Sequence, residues 1–298
     1  MVLTMSHPHL ASADMLNRSI RATGRRSTAV WALVLGVLGL VASACNPAPA
    51  DIVLADDQTA NVDGTTVEIE FYRNLTHECG LSGNYTFMVI NPPSNPNGSA
   101  PLWTYLHGGG SGYFDTQGTY QAISSQDENT WNHEEDFAKL QDIVLTRVLN
   151  ANGQLEDQTI VRRIQEGYRV LVVSMCDHDA YSGLGTPYPN NPNPGAEVNG
   201  LEATMAAIDY TTANYPTTHV WAHGASAGSY GAWALASQYS LKGTPLTGVV
   251  GDSAIHTPNS QPMVDEYLAA GALPWDATFD PQQMADKIGV YGDRFGPL

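Results

Sequence analysis

A chain of 298 residues with 30 acidic and 13 basic side chains carries a formal charge of −17, which repels polyphosphate and excludes nucleic acid as a partner. Other strongly anionic polymers meet the same barrier. No internal repeat is present, and the length past the amino-terminal segment, roughly 250 residues, suits one domain with a large core.

At the amino terminus, Arg18, Arg21, Arg25 and Arg26 precede an apolar stretch over residues 29–42, and Ala42-Ser43-Ala44 closes it. A basic n-region, an apolar h-region and a small-residue cleavage site make residues 1–45 an export signal. The apolar stretch falls short of the ~20 residues that cross a bilayer, which weighs against a membrane-spanning helix. The small residues ending at Cys45 resemble a bacterial lipobox, with Ala42 in place of the more usual leucine; there the cysteine is lipidated and becomes the first mature residue. Simple secretion is the alternative. Either way the reading is an exported bacterial protein that meets membrane through its signal or lipid anchor alone. Asn46-Pro47-Ala48-Pro49-Ala50 opens a tether over residues 46–62, and the folded domain is expected over 63–298. With Cys45 lipid-linked or removed, Cys79 and Cys176 remain. Export permits a disulfide between them, and two separately buried thiols are the other reading.

Residues 65–73 and 84–91 alternate in polarity and carry β-branched or aromatic side chains, which predicts an antiparallel pair joined through the 77–83 loop. Residues 102–106 predict a third strand. The acidic run Glu134-Glu135-Asp136 reads as a solvated face. Phe137, Leu140, Val144 and Val148 stand at helical spacing, and Ile160, Val161 and Ile164 precede Gly167, a natural helix stop. The nearly continuous apolar run over 168–175 predicts a strand in the middle of a parallel sheet. Leu201, Met205, Ile208 and Thr212 predict a helix, residues 217–223 a strand, the Ala-rich stretch from Gly228 another helix, and residues 246–251 another strand. Helical pieces are expected at 263–270 and 281–288. Strands alternating with helices imply a mostly parallel α/β sheet covered on both faces. Two long segments, 111–134 and 177–199, leave the carboxyl ends of parallel strands, where such sheets bind ligands, so they are expected to wall a pocket. Their aromatics, including Tyr113, Phe114, Tyr120, Trp131, Tyr181 and Tyr188, read either as ligand contacts or, more commonly, as loop anchors.

Two motifs carry chemistry. Gly224-Ala225-Ser226-Ala227-Gly228 lies between the strand ending near His223 and the Ala-rich helix, the setting of a nucleophile elbow with Ser226 at its apex. The alternative for Ser226 is an ordinary helix cap. His107-Gly108-Gly109-Gly110, directly after the 102–106 strand, matches the oxyanion-loop pattern of esterases and lipases, in which glycines let backbone N–H groups face developing negative charge. Together they predict the α/β-hydrolase fold, with His107, Gly108, Tyr113, Asp177 and Tyr181 around the substrate. A serine needs a base, and the base a third group, in the chain order serine, acid, histidine. Asp252 and His256 are the close-spaced candidates, while the fold's usual spacing places the acid and the histidine beyond Leu298. Without a triad, the same scaffold would be a catalytically inactive binding protein at the cell surface. Asp177, His178 and Asp179 could share a cation, but neighbours in an extended run point to opposite sides. Neither metal nor cofactor is expected.

The Gly108 to Gly110 loop, the stretch Met175-Cys176-Asp177-His178-Asp179-Ala180-Tyr181-Ser182-Gly183, Val198-Asn199-Gly200, the pentapeptide around Ser226 and Gly251-Asp252-Ser253-Ala254 together resemble the pectin acetylesterase and Notum-like family of serine carboxylesterases. The Cys-x-x-Asp-x-x-x-Gly stretch is the most discriminating piece, and the resemblance covers about the middle half of the chain. His107 stands where these enzymes often have another residue. The resemblance implies hydrolysis of an O-acyl ester, a carbohydrate acetyl ester included, with Ser226 as nucleophile and the nitrogens around Gly109, Gly110 and Ala227 as the oxyanion site.

Overall fold

An Asp63-Gly64 turn, with both residues at positive φ, folds β1 (Ile52–Val62) back onto β2 (Thr65–Glu78) as an antiparallel hairpin. Such a two-residue turn matches the twist of the strands it joins. The computed structural model describes residues 51–109, 112–122, 131–146 and 159–252. The predicted export signal, Cys45, Gly110, His256 and the two expected helical pieces beyond Asp252 lie outside them.

The tether expected over 46–62 is corrected by this hairpin, because residues 52–62 are a sheet strand. Most β1 side chains face solvent, so its place comes from backbone pairing with β2 rather than from an apolar face. β2 continues antiparallel to β3 (Asn84–Ile90), the predicted opening pair. After β4 (Ala100–Leu106) come two short strands, β5 (Gly112–Phe114) and β6 (Tyr120–Ala122), then α1 (Phe137–Gln141), α2 (Thr159–Gln165) and β7 (Arg169–Val173). The pair β8 (Thr186–Pro187) and β9 (Glu197–Val198) precedes α3 (Gly200–Asn214), β10 (Thr217–Ala225), α4 (Ala227–Leu241) and β11 (Gly248–Asp252).

The main sheet runs β1-β2-β3-β7-β4-β10-β11. β7, β4, β10 and β11 are mutually parallel, and β3 joins them antiparallel. Alternate side chains of the central strands serve two cores, as strand geometry requires. Leu102, Leu106, Leu171 and Val173 pack with Leu201 and Ile208 of α3 and Leu235 of α4. Trp103, Tyr105, Val170 and Val172 pack with Leu140 of α1 and Ile160 and Ile164 of α2. Burial on both faces is why these strands read as continuous apolar runs. The strand order, with helices on both faces and a single serine between β10 and α4, is an α/β-hydrolase-like fold.

Each long insertion contributes one of the small strand pairs. Phe114, Tyr188 and Val198 form a common apolar cluster with Tyr120 packed against it, and ring pairs Phe114–Tyr188 and Tyr120–Trp131 lie 5.0 and 5.1 Å apart. These aromatics anchor the two insertions to each other.

Candidate active site

β10 ends at Ala225 and α4 begins at Ala227, so Ser226 makes the strand-to-helix turn by itself. It holds φ 51° and ψ −117°, where an L side chain persists only if its surroundings over-determine it. They do so here. The Ser226 N–H donates to the Asp252 carbonyl at 2.9 Å, and the Ser226 carbonyl accepts from Ser229 N–H at 3.0 Å. The buried Ser229 hydroxyl donates to Gly224 O at 2.8 Å and also lies against Asp252 O. Sequence reasoning missed Ser229, whose one signal is its place one turn into the helix behind the elbow.

The flanking glycines are required by contact. A Cβ on Gly224 would sit 1.9 Å from Gly228 O, and one on Gly228 would sit 2.0 Å from Leu106 O. Strand, helix and β4 therefore meet at backbone distance, and the Ser226 residue stands exposed above them.

The glycine segment after β4 abuts this turn. A Cβ on Gly108 would lie 3.0 Å from both Ala225 O and Ser226 Cβ. Gly109 follows, with Met175 Cε 3.2 Å from the position its own Cβ would take. On the other side, Ala227 opens α4, and the first N–H groups of a helix point outward from its positive dipole end. The Gly108 segment and the first turn of α4 thus flank Ser226.

Three residues expected around the substrate are placed elsewhere. His107 is buried, with Nδ1 2.7 Å from Gly108 O and Nε2 3.1 Å from Glu135 Oε2. Tyr181 is fully buried: its hydroxyl donates to Val173 O at 3.1 Å, and its Cβ lies 2.5 Å from where a Cβ on Gly231 of α4 would be. Asp177 is fully buried, with Oδ1 accepting from Gly80 N–H at 2.8 Å and Oδ2 from Asn199 N–H at 2.9 Å. Each turns back under the strand ends because a partner there satisfies it. Gly108 and Tyr113 are part-exposed.

The Asp177 and Asp179 carboxylates work as backbone clamps. Asp179 accepts from the N–H groups of Tyr181, Gly183 and Gly200 at 2.9, 2.7 and 3.0 Å. His178, Ala180 and Tyr181 sit at positive φ around it, so the strained loop is fastened from inside. Burial first, and the Asp179 carboxylate second, push Asp177 up to about 8. No group of metal-ligating side chains forms among the described residues, because these carboxylate oxygens already receive N–H donors. Cys79 and Cys176 are joined as a disulfide with Cα atoms 5.6 Å apart, tying the end of β2 to the same loop.

The acidic run ahead of α1 is corrected at Glu134 and Glu135, while Asp136 is exposed. Glu134 bonds the Arg73 guanidinium, Glu135 is buried against His107, and Asp136 caps α1 by accepting from Lys139 N–H at 2.9 Å. Asp252 pairs with Ala225 across β10 and β11; its carbonyl serves the elbow.

Among solved structures, a glucuronoyl esterase from Solibacter usitatus aligns with 65% of this chain and 50% of its own, at 12% identity and a TM-score of 0.39. One of two fungal esterases from Rhizomucor miehei aligns with 89% and 63%, at 14% identity and a TM-score of 0.32. Est1E from Butyrivibrio proteoclasticus aligns with 76% and 60%, at 14% identity and a TM-score of 0.31. The chain spans between half and just under two thirds of the length of these proteins. No family pattern matches it, and no curated protein does.

Proposed function

We propose that the chain is an exported serine carboxylesterase that hydrolyses an O-acyl ester through an acyl-Ser226 intermediate. The observation that carries this reading is the exposed Ser226 on a left-handed turn between β10 and α4, with the Gly108 backbone in contact with it. In the forward step the Ser226 oxygen bonds to the ester carbonyl carbon while its proton passes to a histidine that follows in the chain, His256 being the candidate in this sequence. Negative charge forms on the carbonyl oxygen, and the N–H groups of Gly109, Gly110 and Ala227 receive it. Collapse expels the alcohol with that proton, and water then releases the acid by the same route.

The resemblance to the pectin acetylesterase and Notum-like enzymes favours a carbohydrate O-acyl ester, and the net charge of −17 favours one on a neutral rather than a polyanionic carrier. In this reading the chain is exported, either secreted or held beside a membrane through a lipid on Cys45.

The test is a fluorophosphonate probe on the full chain, read by peptide mass spectrometry. Modification of Ser226 in the wild type and its loss in Ser226→Ala support the reading. A folded, unreactive wild type would sink it and favour a binding protein on the same scaffold.

A further inference from the structure

Beneath the Gly108 and Gly109 segment lies a buried charge pair that acyl transfer does not itself use. Its members come from different layers: His107 follows β4, and Glu135 precedes the cap of α1. The two side chains are 6% and 2% exposed, with Nε2 3.1 Å from Oε2. The other ring nitrogen, Nδ1, stands 2.7 Å from the Gly108 carbonyl oxygen. Both neighbours of the ring are therefore acceptors. A neutral imidazole has one N–H and would turn a lone pair on one of them, whereas an imidazolium donates to both.

Burial, the largest single influence, pushes Glu135 upward. The His107 charge and hydrogen bond, with the Met175 N–H, outweigh it and hold Glu135 below the ordinary carboxylate range. His178 is pushed down to about 3, by burial first; Glu135 pulls it up, and His107 and Lys139 push it down again. Tyr181 stands edge-on to His107 at 5.9 Å between ring centroids.

The geometry points to a positioning role: Glu135 holds His107 as a cation, and His107 fixes the Gly108 carbonyl and with it the plane of the Gly108 to Gly109 peptide. In a trans peptide the C=O and N–H point in opposite directions. Pinning the carbonyl toward the imidazole thus sets the direction of the Gly109 N–H, one of the donors assigned above to the oxyanion. The same Glu135 oxygen accepts from Met175 N–H at 3.2 Å, and Met175 is the side chain lying under Gly109. One carboxylate anchors both supports of the segment without touching a reacting atom. The catalytic consequence rests on the esterase reading; the charge state of the pair rests on hydrogen-bond geometry alone.

The test is a double-mutant cycle in the full chain, using p-nitrophenyl acetate as probe. Glu135→Gln and His107→Ala should each lower kcat by about 10- to 100-fold, short of or near the loss of one oxyanion donor, with KM changed less than about 2-fold. The double variant should be no worse than the poorer single, because Glu135 acts through His107. Losses that multiply would overturn the proposal. Should Glu135→Gln fail to fold, nitrogen-15 NMR of wild-type His107 at neutral pH decides: two protonated ring nitrogens support the pair, and a neutral tautomer overturns it. A wild type that shows the cationic His107 yet neither turns over ester nor reacts with fluorophosphonate upholds the pair while removing the esterase reading.

Discussion

Replacing Ser226 by glycine should stabilise the fold, and the gain can be worked from one pair of angles. At φ 51° and ψ −117° an L residue carries a backbone cost of about 1–3 kcal/mol. Glycine escapes that cost and returns about 0.5–1 kcal/mol through its greater freedom in the unfolded chain. The net expectation is a gain over Ser226→Ala centred on about 1 kcal/mol, within a range of about 0–2.5 kcal/mol. Alanine is the proper reference, since both variants lose the hydroxyl and differ in the Cβ that feels the strain. Urea unfolding of the two should give equal slopes and a higher midpoint for glycine, and the melting temperature should rise by about 2–4 °C per kcal/mol at this chain length. Both should be inert to fluorophosphonate. A glycine variant weaker than the alanine variant would show that the turn is not strained and would remove the physical basis for an elbow at Ser226.

The disulfide closes a separation of 97 residues, for which loop entropy gives about 4–5 kcal/mol. The paired Cys79→Ser and Cys176→Ser variant should lose unfolding free energy of that order in urea titration, and an unchanged midpoint would refute the argument. Asp177, raised from 3.8 to about 8 by burial and Asp179, binds a proton in the folded state that the unfolded chain has lost, so its contribution falls as pH rises across that window. His178, lowered from 6.5 to about 3 by burial, has the opposite sign, since the unfolded state gains a proton as pH drops below 6.5 and stability falls with it. The two oppose each other on the acid side, and of the two Asp177 alone acts above pH 6.5. The melting temperature should therefore decline from pH 6.5 to 8, a slope that Asp177→Asn should flatten in calorimetry. An unaltered slope in that variant would count against the assignment.

What could be read in the sequence were short-range signals and apolar runs that serve two cores at once. The small residues around Ser226 were legible because a Cβ at 224 or 228 would fall 1.9 or 2.0 Å from a backbone oxygen, which leaves room for nothing larger. β7 was legible because all five of its residues are buried. β1 was hidden because its side chains face solvent and its partner β2 supplies the stabilisation through the backbone. Its one cue, Asp63-Gly64, is a hairpin turn by residue type.

The side chains at strand ends were harder. A residue just past a strand can rise into a pocket or turn back beneath the loop, and its own neighbours in sequence do not distinguish the two. His107 turns back because Glu135, 28 residues on, waits for it; Asp177 turns back because Gly80 and Asn199 bring N–H groups from far along the chain. The run from Glu134 to Asp136 states the difficulty most sharply. Three adjacent acids of one composition go to a guanidinium, a buried imidazole and a helix cap. Composition assigns all three to solvent, and only the positions of Arg73, His107 and Lys139 around the start of α1 separate them. The charge that holds the glycine segment in place thus comes from the residue whose sequence neighbourhood looked least like part of a site.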